Sequence, residues 1–156
     1  MKKFNIVFVI LLILSSKLLA SEISGFPIIT DGDTIEIFNK RIRFYGIDTP
    51  EKKQICIKNS KEYNCGVEAT TALVKIIDRK KVLCKVQDKL DRYKRYIGVC
   101  FAGDINLNRW MVRNGYAVAY RKYSKDYIEE ENHAKKNKLG LWSGSFIHPE
   151  KWRKLN

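Results

Sequence analysis

Two acidic turns flank one short apolar stretch. The first is Asp31-Gly32-Asp33-Thr34; the second, Asp48-Thr49-Pro50-Glu51, ends the run Arg41-Ile42-Arg43-Phe44-Tyr45-Gly46-Ile47. Pro50 disfavours the helical region for Thr49, so this segment leaves its strand as a turn. Such a turn can hold Asp48 and Glu51 near one point, with Arg43 a few residues upstream. Carboxylates of this kind, an arginine and the first acidic turn, at Asp33, are the parts needed to hold a hard cation and to handle a phosphate. Taken singly the pieces are ordinary. Asp-Gly-Asp is most often a hairpin turn, and Asp-x-Pro-Glu is often only the entry to a polar loop.

The other residues that could do chemistry narrow the choice. His133 falls in a charged helical segment and His148 in the tail, both far from the acidic turns, and both read as surface residues. Without a histidine, hydrolysis of a phosphodiester would rest on carboxylates, arginines and a cation. The acids lack the spacing and terminal glutamate of an EF-hand. A further basic turn, Asp91-Arg92-Tyr93-Lys94-Arg95, carries two arginines, although any solvated hairpin could carry such a run.

These motifs, with Leu139-Gly140-Leu141-Trp142-Ser143, resemble the staphylococcal nuclease (thermonuclease) family over residues 28–143. The resemblance implies that Asp33 and Asp48 bind Ca²⁺, assisted by the backbone carbonyl of Thr49. It implies that Glu51 orients or deprotonates the attacking water and that Arg43 and Arg95 contact the phosphate. Arginine's planar fork suits that contact and keeps its charge at any working pH. Arg92, Tyr93 and Tyr120 match a substrate-binding groove, where a ring can stack on a base. Lys94 stands where the family usually has glycine.

The elements that must position these residues can be read from periodicity. Residues 23–30 should hold a first strand, with Pro27 at an edge or at its start. Residues 34–38 alternate as a half-buried strand, Asn39-Lys40 turns the chain, and residues 41–47 form the next strand. Residues 52–64 read as a polar, lysine-rich loop. In residues 66–80 Ala69, Ala72, Leu73, Ile76 and Ile77 share one helical face. Residues 81–87 and 94–102 form a hairpin about Asp91. A short helix over 107–114, with Leu107, Trp110 and Met111 inward, stops at Gly115. A charged helix over 124–138 takes Ser124 as its N-cap and ends at the plug Gly140-Leu141-Trp142. Pattern alone gives an α+β domain. The resemblance makes it an OB-fold-type, five-stranded Greek-key β-barrel with about three helices.

Composition sets the surroundings. The chain has 156 residues, enough for one domain with a core, and a formal charge of +13. Lys2 and Lys3 precede an apolar run from Phe4 to Leu14, and Leu18-Leu19-Ala20 offers a cleavage site. Residues 1–20 therefore read as a signal peptide and 21–156 as the domain, the alternative being an uncleaved anchor. Losing Lys2, Lys3 and Lys17 with the leader takes the charge from +13 to +10. So basic a surface favours polyanions, and an attraction to anionic membrane is the competing explanation. The four cysteines, in an exported chain, read as two disulfides with three conceivable pairings. Cys84 and Cys100 are equidistant from Arg92 and should face each other across the hairpin, leaving Cys56 and Cys65 to close a short loop. No Cys-x-x-Cys pair supports zinc.

The expected protein is a secreted or periplasmic monomer, without stable membrane association once the leader is removed. The resemblance implies a Ca²⁺-dependent nuclease that cuts DNA and RNA with little sequence preference, single strands most readily, and leaves 3′-phosphates. The alternatives are an OB-fold module that binds nucleic acid without cutting it, and a basic protein acting on anionic envelopes.

Overall fold

The computed structural model describes residues 21–156, so the expectation of a leader over residues 1–20 lies outside the described residues. The domain is α+β, built on a curled sheet that forms a half-barrel. Its strands are β1 (Ser21–Gly25), β2 (Ile28–Asp31), β3 (Thr34–Ile37), β4 (Lys40–Phe44), β8 (Val82–Val86), β9 (Tyr96–Ala102) and β10 (Ile105–Asn106). The order across the sheet is β1-β8-β9-β4-β3-β2, with β10 paired to β9. Neighbours run antiparallel except β4 and β9, which are parallel. That parallel pairing lets a chain of hairpins curl toward closure, as OB barrels do.

Two small sheets complete the strands. The pair β5 (Ile47–Asp48) and β11 (Val118–Ala119) is one, and the hairpin β6 (Ile55–Lys58) with β7 (Lys61–Asn64) is the other. The α-helices are α1 (Cys65–Ile77), α2 (Leu107–Arg113), α3 (Ile128–Lys136) and α4 (Pro149–Leu155), and a 3₁₀ turn spans Gly140–Ser143. Ile35, Ile37, Ile42, Phe44 and Ile47 from the strands meet Leu73 and Ile77 of α1 and Leu107 and Met111 of α2 in one core. The predicted face of α1 holds: Ala69, Ala72, Leu73 and Ile77 are buried and Ile76 packs against them.

Several elements differ from the sequence reading, each for a physical reason. Phe26-Pro27 splits the expected first strand into β1 and β2, since proline cannot donate to a ladder. The strand predicted to reach Ile47 stops at Phe44, because Gly46 turns with φ +73° and packs where a Cβ would press on Ser124 and Tyr127. The supposed loop over 52–64 is the β6–β7 hairpin, turned at Asn59 and Ser60 with positive φ. Helix α3 starts at Ile128 rather than Ser124, whose hydroxyl instead accepts from the Asp126 N–H in a preceding turn. A fourth helix, α4, joins the three expected.

Both disulfides take the expected pairing. Cys56–Cys65 fastens β6 to the start of α1, with Cα atoms 5.7 Å apart. Cys84–Cys100 joins directly opposed residues of β8 and β9, 4.0 Å apart.

Candidate functional site

Register brings the two acidic turns together. In the β3–β4 ladder Thr34 pairs with Arg43, so Asp33, one residue earlier in the β2–β3 turn, lies beside the arginine. The Arg43 guanidinium binds the Asp33 carboxylate through Nη1 and Asp48 Oδ1 through Nη2 at 2.9 Å. Asp48 ends β5, and its backbone is held by pairing with Val118 of β11. Thr49 closes the second turn onto the first, its N–H and hydroxyl each donating to Asp33 Oδ2 at 3.0 Å. Asp33, Asp48 and Thr49 are only 3 %, 1 % and 3 % exposed, so both aspartates are buried charges that need partners.

Glu51 sits at the rim, half-exposed, and packing fixes its turn. Gly66, near the start of α1, lies where any Cβ would collide with the Glu51 carbonyl group. The buried Gln54 spans the same turn: its N–H donates to the Glu51 carbonyl at 2.7 Å, and its Oε1 accepts from the Glu51 N–H at 3.3 Å. The Gln54 amide also donates to the Ile147 carbonyl at 2.6 Å, tying the turn to the segment before α4.

From α4 comes a residue that the sequence reading missed. Arg153 places Nη1 and Nη2 each 3.0 Å from an oxygen of Asp48, and Nη1 also lies 2.8 Å from Glu51 Oε1. A helix start was legible in Pro149, which suits the first turn, and in the i,i+4 pair Glu150–Lys154. Nothing local to the tail indicated where Arg153 would reach.

The charges shape one another. Burial alone would raise the Asp33 carboxyl, but the Arg43 charge and the bonds from Thr49 outweigh it and hold the group below its usual range. Asp48 shifts up, because burial and the neighbouring Asp33 charge exceed what the two arginines supply. Asp31, whose Oδ1 accepts from the Asp33 N–H at 3.0 Å, is pushed up to about 6 by burial and then by the Asp33 charge. Both arginines are held more firmly protonated than usual by these acids.

The remaining candidates lie on two other segments. Tyr120 follows β11, its N–H donating to the Gly46 carbonyl at 2.9 Å, and burial, then the Asp48 charge, raise its hydroxyl. Arg92, Tyr93 and Arg95 lie on the β8–β9 turn. Tyr93 is exposed, with the Arg92 and Arg95 guanidinium carbons 4.7 and 5.1 Å from its ring centre. Arg95 pairs with Asp91 at 2.8 and 2.9 Å and makes no bond to the carboxylates of the centre. Asp91 also accepts from the Tyr93 and Arg95 N–H groups, and Lys94 takes the left-handed conformation (φ +59°) that glycine would adopt without strain. Neither histidine is bonded to the carboxylates of the centre: His133 is half-buried on α3, and His148 is exposed beside Phe146 and Trp142.

The donors facing the centre are oxygens alone, on two buried carboxylates that flank a single guanidinium. This is donor chemistry that fits a hard cation and not a soft one. With the arginines in place their oxygens are engaged, and no cluster of three or more metal-ligating side chains is preformed among the described residues.

Known proteins resemble this chain over most of its length. An "Uncharacterized endonuclease" of Escherichia coli O157:H7 is 35% identical over 153 residues, covering 92% of this chain and 94% of its own. "Succinoglycan biosynthesis protein ExoI" of Rhizobium meliloti (strain 1021) is 34% identical over 83% of this chain and 69% of its own. The "Micrococcal nuclease" of Shigella flexneri is 34% identical over 82% and 78%. The family profile described as "Staphylococcal nuclease homologue" matches residues 41–144, a span that holds Arg43, Asp48, Glu51, Arg95 and Tyr120 on the framework just described. The chain belongs to the staphylococcal nuclease homologue family.

Proposed function

We propose that this protein is a nuclease: a Ca²⁺-dependent phosphodiesterase acting on DNA and RNA with little sequence preference, single strands most readily, and leaving 3′-phosphates. The observation that carries the reading is the convergence of Asp33, Asp48 and Glu51 around the Arg43 and Arg153 guanidinium groups. A purely structural ion cluster would not need a third acid held at the solvent rim.

In this reading Asp33 and Asp48 hold the cation, with the Thr49 carbonyl as a further ligand. Bound there, Ca²⁺ would offset negative charge on the phosphoryl oxygens. Glu51 takes a proton from the attacking water. Arg43, which lies between the two buried acids, and Arg95, now paired with Asp91 on the β8–β9 turn, contact the phosphate. Tyr93 and Tyr120 present rings to bases, and stacking of that kind is indifferent to sequence. The disulfides suit an oxidising compartment, which agrees with export. Among the described residues no helix is long and apolar enough to cross a membrane.

The test is cleavage of single-stranded DNA and RNA by the purified protein. Activity should disappear with chelator and return with Ca²⁺, while Asp48→Asn should not recover. Full cleavage in excess chelator would overturn the metal assignment. Binding without any cleavage in Ca²⁺ would leave a nucleic-acid-binding module.

A further inference from the structure

We infer that Arg153 is a built-in occupant of the cation site, and that α4 is a latch which a divalent cation must displace. Asp48 is fully engaged: Oδ1 accepts from Arg43 at 2.9 Å and from Arg153 at 3.0 Å, and Oδ2 accepts from Arg153 at 3.0 Å. One nitrogen of Arg153 also bridges to Glu51, so a single guanidinium joins the proposed cation ligand to the proposed base. A cation approaching Asp48 therefore competes with this fork for the same oxygens.

The attachment of α4 suits a part that lets go. The helix has seven residues and buries only Pro149, so little apolar area holds it down. Its hold on the centre is ionic, through Arg153. The hinge is nevertheless fixed, because Gln54 grips the Ile147 carbonyl and Ile57 bridges to Ser145. The arginine can leave the site without the preceding chain leaving the body.

Charge accounts for why such an occupant is present. With neither a cation nor Arg153, Asp33 and Asp48 would share Arg43 alone and Glu51 would have no partner, and an uncompensated buried carboxylate is costly. Arg153 supplies the missing positive charge and keeps the acids in place until a cation replaces it. Whatever stabilises the latch lowers the apparent cation affinity by the same factor.

This inference rests on the reading of the carboxylates as a Ca²⁺ site. Its test is calorimetric titration of the full-length protein with Ca²⁺ alone, without nucleic acid, for wild type, Arg153→Gln and Arg153→Lys. Arg153→Gln should bind Ca²⁺ about tenfold more tightly than wild type, within the usual range of coupling between competing occupants. Arg153→Lys, which keeps the charge and loses the fork, should fall between them. In the wild type, side-chain NMR should show slowed Arg153 Nη rotation without metal and free rotation in saturating Ca²⁺. Equal or weaker Ca²⁺ binding by Arg153→Gln overturns the latch alone, as does an Arg153 signal that stays restrained in Ca²⁺. Absence of Ca²⁺ binding by all three proteins overturns the latch and the metal reading together.

Discussion

At the residue level, the base role proposed for Glu51 should separate catalysis from binding. Its carboxylate is half-exposed and touches the centre only through Arg153, so replacing it with the isosteric amide should leave the buried pairs intact. Glu51→Gln should lower turnover by at least about 10²-fold, as for loss of a general base, with little change in affinity for an oligonucleotide. Rates and affinities measured on the same oligonucleotide check this, and wild-type cutting by Glu51→Gln would remove the assignment. Lys94 offers a second test. Its left-handed φ costs an L-residue roughly 1–2 kcal/mol, and the greater freedom of an unfolded glycine offsets part of that. Lys94→Gly should therefore leave the protein as stable as wild type or up to about 1 kcal/mol more so, read from denaturant midpoints.

At the level of elements, Glu131 fastens α3 to the strand that supports Asp48. Its side chain is fully buried and accepts from the Ala119 N–H at 3.1 Å, Arg121 at 2.6 Å and Lys135 at 2.8 Å. Ala119 and Val118 pair in turn with Ile47 and Asp48. Burial would raise the Glu131 carboxyl, but the bonds from Arg121, Lys135 and Ala119 outweigh it and hold the group below its ordinary value. A depressed folded value means that stability is fully present above the unfolded value of about 4.3 and is lost as pH falls through the folded one. Glu131→Gln should thus cost about 1–3 kcal/mol near neutrality, and the gap to wild type should narrow below about pH 4. Thermal unfolding of both proteins from pH 7 to pH 3 measures it. A gap independent of pH would show that the charge on Glu131 contributes nothing.

At the level of the whole molecule, the excess of 30 basic over 17 acidic residues should govern the proposed affinity for nucleic acid. In the centre the acids and arginines nearly balance, so the net positive charge lies elsewhere on the surface. Binding of single-stranded DNA by Glu51→Gln should weaken steeply with salt, log K falling linearly against log salt with a slope of about −0.7 for each phosphate neutralised. Fluorescence anisotropy at several salt concentrations reads the slope. Affinity that ignores salt would contradict a charge-driven surface.

What the sequence determined by itself was local. The turn at Pro50, the apolar face of α1 and the β8–β9 hairpin about Asp91 follow from short-range sterics and periodicity. Equal spacing about Arg92 was enough to set Cys84 opposite Cys100. The acids and Arg43 were recognisable because they lie within about one hairpin of each other, so register alone brings them together. Tertiary structure decided what depends on distant segments. The β6–β7 hairpin was hidden because its polar residues carry little alternation, and its shape depends on the Cys56–Cys65 bond and the pairing with Ser145. Arg95 lay in a legible turn, yet its present partner, Asp91, was settled by how that turn closes. The grip of Gln54 on Ile147 and the reach of Arg153 to Asp48 join residues about a hundred positions apart. No local pattern encodes such contacts, because they exist only once the half-barrel has brought the end of the chain back against its first turns.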